Sequence, residues 1–339
     1  MIGTGPTRLV VRSAGGAAIQ VPAERLGTVV IGDVEAELTR EGDRIEWSVA
    51  NRGDTPLALD SVGFAWDAGP AGEEPCLFAN GYQSWSPTRR RALGVDADPS
   101  HAPGSIPFLR AMHHADPSIA PPGELRSEQV TVVDPDNGAP RICVGFEGGA
   151  THAGTVRARL VDRRVELCAE AWLGGAAIAP GERRALHAVL SSEGDDPAAM
   201  LDSWAAAAGR TEHARAAAPY QVGWCSWYHY FHDIDEASFA GNLARASDWP
   251  FDVFQLDDGY QAAIGDWLTT NEKFPGGVEG AAAAVARSGR TPGIWMAPFL
   301  AAPDSALARA HPEWMARDPV GDDPLVGMWH EVWGGFMLQ

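Results

Sequence analysis

The sequence runs to 339 residues, long enough for two domains that each bury a core. Hydrophobic residues make up 45% of it, and acidic residues outnumber basic ones 45 to 26, for a formal net charge of -19. That composition argues against a disordered chain, and the charge repels phosphate backbones and anionic membrane surfaces while leaving neutral ligands unaffected.

Up to about residue 190 the pattern is short, alternating and rich in turns. The stretches "TRLVVRS", "RIEWSVAN", "PLALDSVGFAW", "EQVTVVD", "RICVGFEG" and "RRVELCAEAWL" read as strands between Gly, Pro, Asp and Asn clusters. Many short strands without intervening helices predict a β-sandwich over residues 1–193. A proline-rich excursion at about 87–127 interrupts it, and long excursions of this kind tend to be functional. Residues 194–220 read as a linker helix and connector. Asp196 is placed to cap "DDPAAMLDSWAAAAG", Pro197 suits its first turn and Gly209 its end.

The rhythm changes at residue 221. "VGWCSWYHYF", "FDVFQLD" and "RTPGIWMAPFL" read as strands, and "DEASFAGNLARAS" and "GGVEGAAAAVARSG" as the helices between them. Alternating strands and helices predict parallel βαβ units over 221–339. The expected fold class is therefore multidomain, a β-sandwich followed by the first three β/α units of a TIM-type (β/α)8 barrel. An eight-fold barrel needs at least ~200 residues, so the barrel is expected to be incomplete, truncated after its third strand.

Four cysteines, Cys76, Cys143, Cys168 and Cys225, are scattered with no CxxC pair, which argues against a zinc ribbon or a thioredoxin-type site. They read as free thiols of a reducing compartment. The first sixteen residues lack the apolar run of a signal peptide, and no transmembrane run follows, so a cytoplasmic location is expected.

In parallel α/β barrels function collects at the carboxyl ends of the strands. Those ends carry Trp227, Tyr228 and His229 on the first strand, Asp257, Asp258 and Gly259 on the second, and Trp295 and Met296 on the third. Aromatic walls around two carboxylates suit a hexose, whose C–H faces stack on indole while its hydroxyls donate to carboxylates. Adjacent strand residues point to opposite faces, and a retaining glycosidase needs carboxylates ~5 Å apart across one bond. Asp257 and Asp258 are thus hydrogen-bond acceptors for a sugar rather than an acid/base pair. Taken alone, "DDG" is more often simply a turn after a strand, and core packing is the rival reading of the tryptophans.

Four motifs in order, "GWCSWYHYF", "FQLDDGYQ", "GDWLTTNEKFPGG" and "GIWMAPF", together resemble the first half of the barrel in family 36 glycoside hydrolases, the bacterial α-galactosidases. "FANGYQSWSP" in the sandwich is similar to that family's N-terminal domain. The resemblance implies retaining hydrolysis of terminal α-galactosides without a cofactor or metal. It implies that Asp257 and Asp258 hold galactose hydroxyls, that Trp227, Tyr228 and Trp295 line the pocket, and that Trp85 forms a lid. It also places the family's nucleophile and acid/base aspartates on later strands, beyond Gln339. No catalytic residue is assigned here, since Glu331 occupies no strand end. The chain alone is accordingly expected to be an inactive fragment of the parent enzyme, with a non-catalytic galactoside-binding protein and one half of a split glycosidase as alternatives. Family members are often homo-oligomers, and transglycosylation or N-acetylgalactosamine specificity stays open.

The remaining candidates have plainer readings. His113 and His114 form a surface pair in the proline-rich loop rather than a metal site. Arg89 to Arg91 form a solvated loop face, Cys225 packs inside the first strand, and Lys273 lies in a loop near the pocket mouth without an assigned role.

Overall fold

Period-two alternation builds the first half of the chain. In Val34–Glu41 the side chains of Val34, Ala36 and Leu38 are buried while Glu37 and Thr39 face out, and Ile45, Trp47 and Val49 repeat the pattern on the next strand. The computed structural model describes residues 8–13, 19–22, 27–81, 88–94, 123–317, 323–330 and 333–338. It divides into two compact units, Met1–Ala216 and Ala217–Gln339.

Among the described residues the first unit holds β1 (Arg8–Ser13), β2 (Ile19–Pro22), β3 (Thr28–Ile31), β4 (Val34–Glu41), β5 (Arg44–Asn51), β6 (Leu57–Pro70), β7 (Cys76–Ala79) and β8 (Arg89–Ala92). It continues with β9 (Glu124–Glu128), β10 (Val130–Asp134), β11 (Arg141–Phe146), β12 (Ala153–Val161), β13 (Arg164–Trp172), β14 (Ala177–Ile178) and β15 (Arg183–Gly194). These make two antiparallel sheets. One has the order β2-β1-β6-β13-β12-β9, with β14 also on β6, and the other β3-β4-β5-β15-β11-β10-β7-β8. Both contribute to a single apolar core, in which Trp47 meets Phe64 edge-on at 5.1 Å and Phe64 stacks on Trp66 at 5.5 Å. Arg89 to Arg91, expected in a loop, instead form a strand paired antiparallel with β7 over the register Cys76↔Ala92 to Ala79↔Arg89.

The other face of the seven-strand sheet buries charge. Arg157 donates to Glu124 at 2.9 Å and to Glu170, which Arg12 also reaches at 2.8 Å. Glu170 is fully buried and accepts from Ser61 as well. Such a cluster persists only because each charge has opposite partners.

His152 adds a pH dependence to this unit. Its Nε2 accepts from the backbone N–H of His187 at 2.9 Å, and its Nδ1 lies 3.0 Å from the Ala153 carbonyl, an arrangement that fits the neutral ring. Burial, with a contribution from His187, brings the imidazole down from 6.5 to about 4. The unfolded chain takes up this proton below 6.5 and the folded chain resists until about 4, so stability falls as pH drops through that window. On the order of 3 kcal/mol is lost. Urea midpoints at pH 7 and pH 4.5 should differ accordingly in the wild type and differ less in His152→Gln.

Helix α1 (Pro197–Thr211) closes the first unit. Asp196 accepts from the N–H groups of Ala198 and Ala199, as a cap should, and the helix runs two residues past Gly209. Met200, Leu201 and Trp204 pack on Val130, Val132 and Cys143, and the Trp204 indole donates to the Phe146 carbonyl at 2.9 Å.

In the second unit β16 (Gly223–Cys225), β17 (Val253–Leu256) and β18 (Thr291–Ile294) form a parallel sheet in sequence order. After β16 comes a helical turn, α2 (Trp227–Tyr230). The crossover helices are α3 (Glu236–Arg245), capped by Asp235, and α4 (Gly277–Arg287). Phe239, Leu243, Ala281 and Val285 of these helices bury Phe254 and Leu256 of β17, with Trp224 stacked on Phe254 at 4.2 Å. Alternation then turns Val253, Gln255 and Asp257 to the opposite face.

The expected first strand is therefore only three residues long. "WYHYF" has high β propensity, yet the chain turns at Ser226, whose carbonyl accepts from the N–H groups of His229 and Tyr230. The remaining chain carries α5 (Ala306–Ala310) and an antiparallel sheet of β19 (Leu300–Ala301), β20 (Val326–His330) and β21 (Trp333–Met337) in the order β19-β21-β20. No such sheet is legible in "PLVGMWHEVWGGFMLQ", where glycines dilute the alternation. Among the described residues no helix is long and apolar enough to cross a membrane.

Candidate functional site

The site lies where β17 ends. Asp257 and Asp258 are 7% and 2% exposed, and their partners are separate sets. Asp257 Oδ2 accepts from Gln255 Nε2 at 2.7 Å and from the Cys225 thiol at 3.3 Å, while Oδ1 accepts from the Asp258 N–H at 2.9 Å. Its own N–H donates to Ser226 Oγ at 2.9 Å. Asp258 Oδ1 accepts from Gln261 Nε2 at 2.5 Å, and Oδ2 stands 3.3 Å from His232 Nδ1. Disjoint partners fit side chains that leave the strand on opposite sides, as alternation requires.

Gly259 lets the chain turn. Its φ is +112°, and a Cβ there would stand 2.8 Å from the His232 carbonyl oxygen and 2.9 Å from its Cα. The backbones of residues 232 and 259 thus touch, and Lys273 Nζ donates to the same His232 carbonyl. Asn271 ties the turn further by donating to the Gly259 carbonyl at 2.8 Å. Tyr260, fully buried, donates its hydroxyl to the Trp295 carbonyl at 3.2 Å. Burial, then Asp258 and Asp257, push its phenol up to about 12, so it stays a neutral donor.

Residues 211–323 match the family model named Melibiase. The chain is 29% identical over 101 residues to an α-galactosidase of Geobacillus stearothermophilus, an alignment covering 28% of this chain and 14% of the relative. It is 36% identical over 87 residues to an α-galactosidase of Escherichia coli, covering 24% and 12%. Among solved structures, the α-galactosidase of Thermus thermophilus in complex with p-nitrophenyl α-D-galactopyranoside superposes with a TM-score of 0.60 at 23% identity, over 92% of this chain and 57% of that one. The family 36 α-galactosidase of Geobacillus stearothermophilus gives 0.60 at 15% identity, over 98% and 51%. Over residues 211–323 the chain is similar to the Melibiase family, and its fold resembles that of family 36 α-galactosidases. It spans a little over half the length of these solved relatives, and its sequence alignments reach only about an eighth of the curated ones.

The aromatic residues flank the acids through intermediaries. Trp227 packs edge-on against His232 at 5.2 Å, and His232 contacts Asp258. Trp295 is joined through its carbonyl to Tyr260 and meets Trp267 edge-on at 5.8 Å. Both tryptophans are half-buried. Tyr228, on the helical turn, is 85% exposed. Trp85, His113, His114 and Glu331 lie outside the described residues, and among those described no cluster of His, Cys, Asp or Glu could hold a metal ion. Sequence reasoning passed over Gln255, His232, Gln261 and Trp267. Gln255 was within reach of it, standing two residues before Asp257 and so on the same side of the strand. Cys225, read as packing, is instead a hydrogen-bond donor to Asp257.

Proposed function

We propose that the carboxyl ends of β16 to β18 hold a terminal α-galactosyl residue, in an α-galactosidase-type glycosidase whose whole form hydrolyses such linkages with retention. The carrying observation is a pair of buried adjacent carboxylates with separate partners, set beside Trp227 and Trp295. Asp257 and Asp258 accept galactose hydroxyls, with charge assistance making each bond about twice as strong as a neutral one. Trp227 and Trp295 supply apolar walls, and Tyr228 extends them. In keeping with this reading, the Thermus thermophilus relative is also known in complex with stachyose.

The three parallel strands in sequence order, with crossover helices, suit the first three units of a (β/α)8 barrel following a β-sandwich. Free cysteines throughout suit a cytoplasmic protein. Within this chain the site favours holding the sugar over cleaving it, because neighbouring carboxylates cannot flank one glycosidic bond as acid and nucleophile. A galactoside-binding role for the 339 residues by themselves follows from the same geometry. Titration calorimetry with the full 339-residue chain should show galactose binding, and the chain should release no p-nitrophenol from p-nitrophenyl α-galactoside. Absence of binding refutes the sugar site, and release of p-nitrophenol refutes the division between holding and cleaving.

A further inference from the structure

Asp257 is held by more protein donors than a ligand-binding carboxylate needs. Gln255 and Asp257 share one side of β17, and the parallel register sets Cys225 of β16 directly beside Gln255. Both side chains aim at one oxygen, Oδ2, at 2.7 and 3.3 Å, and the Gln255 amide also lies 3.7 Å from the Cys225 sulfur. With two lone-pair sites per carboxylate oxygen, Oδ2 is filled. Oδ1 takes one donor among the described residues, the Asp258 N–H, and keeps capacity for one more.

We propose that Gln255 and Cys225 are positioning residues, which fix the Asp257 carboxylate so that Oδ1 alone meets the sugar and accepts a single hydroxyl. This rests on the reading of the site as a sugar site. Without the two donors the carboxylate rotates about its Cβ–Cγ bond, and Oδ1 no longer presents one fixed acceptor. Burial first, and the neighbouring Asp257 carboxylate as well, push the Cys225 thiol up to about 11. The sulfur therefore keeps its proton at neutral pH, as a donor must. A thiol here is an orienting group and not a nucleophile.

The test is galactose affinity by calorimetry in the full chain, with thermal melts of each variant alongside. Cys225→Ala and Gln255→Leu should each weaken binding about tenfold, as expected for a lost hydrogen bond to a charged group. Cys225→Ser, which restores a donor, should return within about threefold of wild type. Wild-type affinity in both Cys225→Ala and Gln255→Leu overturns the positioning role while leaving the sugar site standing. Serine as weak as alanine also overturns it for Cys225, since packing volume then accounts for the effect. If Cys225→Ala fails to melt cooperatively, Gln255→Leu decides. No binding by the wild type removes the sugar site, and the positioning role with it.

Discussion

If the proposed sugar site holds, replacing Asp258 by asparagine should lower galactose affinity by at least about a hundredfold, the expected loss of two charge-assisted hydrogen bonds. The change is isosteric, so its effect is chemical. One acceptor oxygen becomes an NH2 group, and it must face either the Gln261 amide that now donates to Oδ1 or the His232 ring beside Oδ2. Either placement opposes a donor already present or discards an acceptor meant for the ligand. Calorimetry measures the loss, and a thermal melt close to that of wild type shows that the fold survives. An affinity within threefold of wild type would remove Asp258 from the site.

Gly259→Ala strikes the same place through the backbone. At φ +112° an L side chain is strained, at a cost of about 1–3 kcal/mol. The added carbon also collides with three backbone atoms of residue 232, at 2.8, 2.9 and 3.0 Å, none of which is the tip of a flexible side chain. Overpacking of this kind costs a further ~1–3 kcal/mol. Hydrogen exchange should quicken across residues 223–294 and leave the two-sheet unit unchanged. Galactose binding should fall too, because the residue lies between Asp258 and Tyr260. Unaltered exchange in β17 would show that residue 232 moves aside freely.

Those two residues also mark what the sequence makes legible. The DDG turn, the capping residue Asp196 and the alternation of β5 follow from local rules, and the structure shows each in place. Legibility stops where a feature depends on what lies across the fold. The aromatic run after Ser226 has strand propensity but bends into a helical turn, bringing His232 to Asp258. That contact joins residues 26 positions apart, beyond the reach of any local pattern. The pairing of Cys225 with Asp257 depends on the parallel register of two strands separated by a helix, and a cysteine between Trp224 and Ser226 gives no local hint of it. The neutral ring of His152 depends in the same way on a backbone N–H thirty-five positions distant.

Lys273 carries a practical consequence. It is the single lysine in the sequence, and its ammonium is spent on the carbonyl against which Gly259 packs. Amine-selective acylation therefore meets one side chain, and it is the one bracing this bend. Neutralising that nitrogen strips the carbonyl of its cationic partner. A dye coupled there would report on the contact between residues 232 and 259, with no mutagenesis needed to install it.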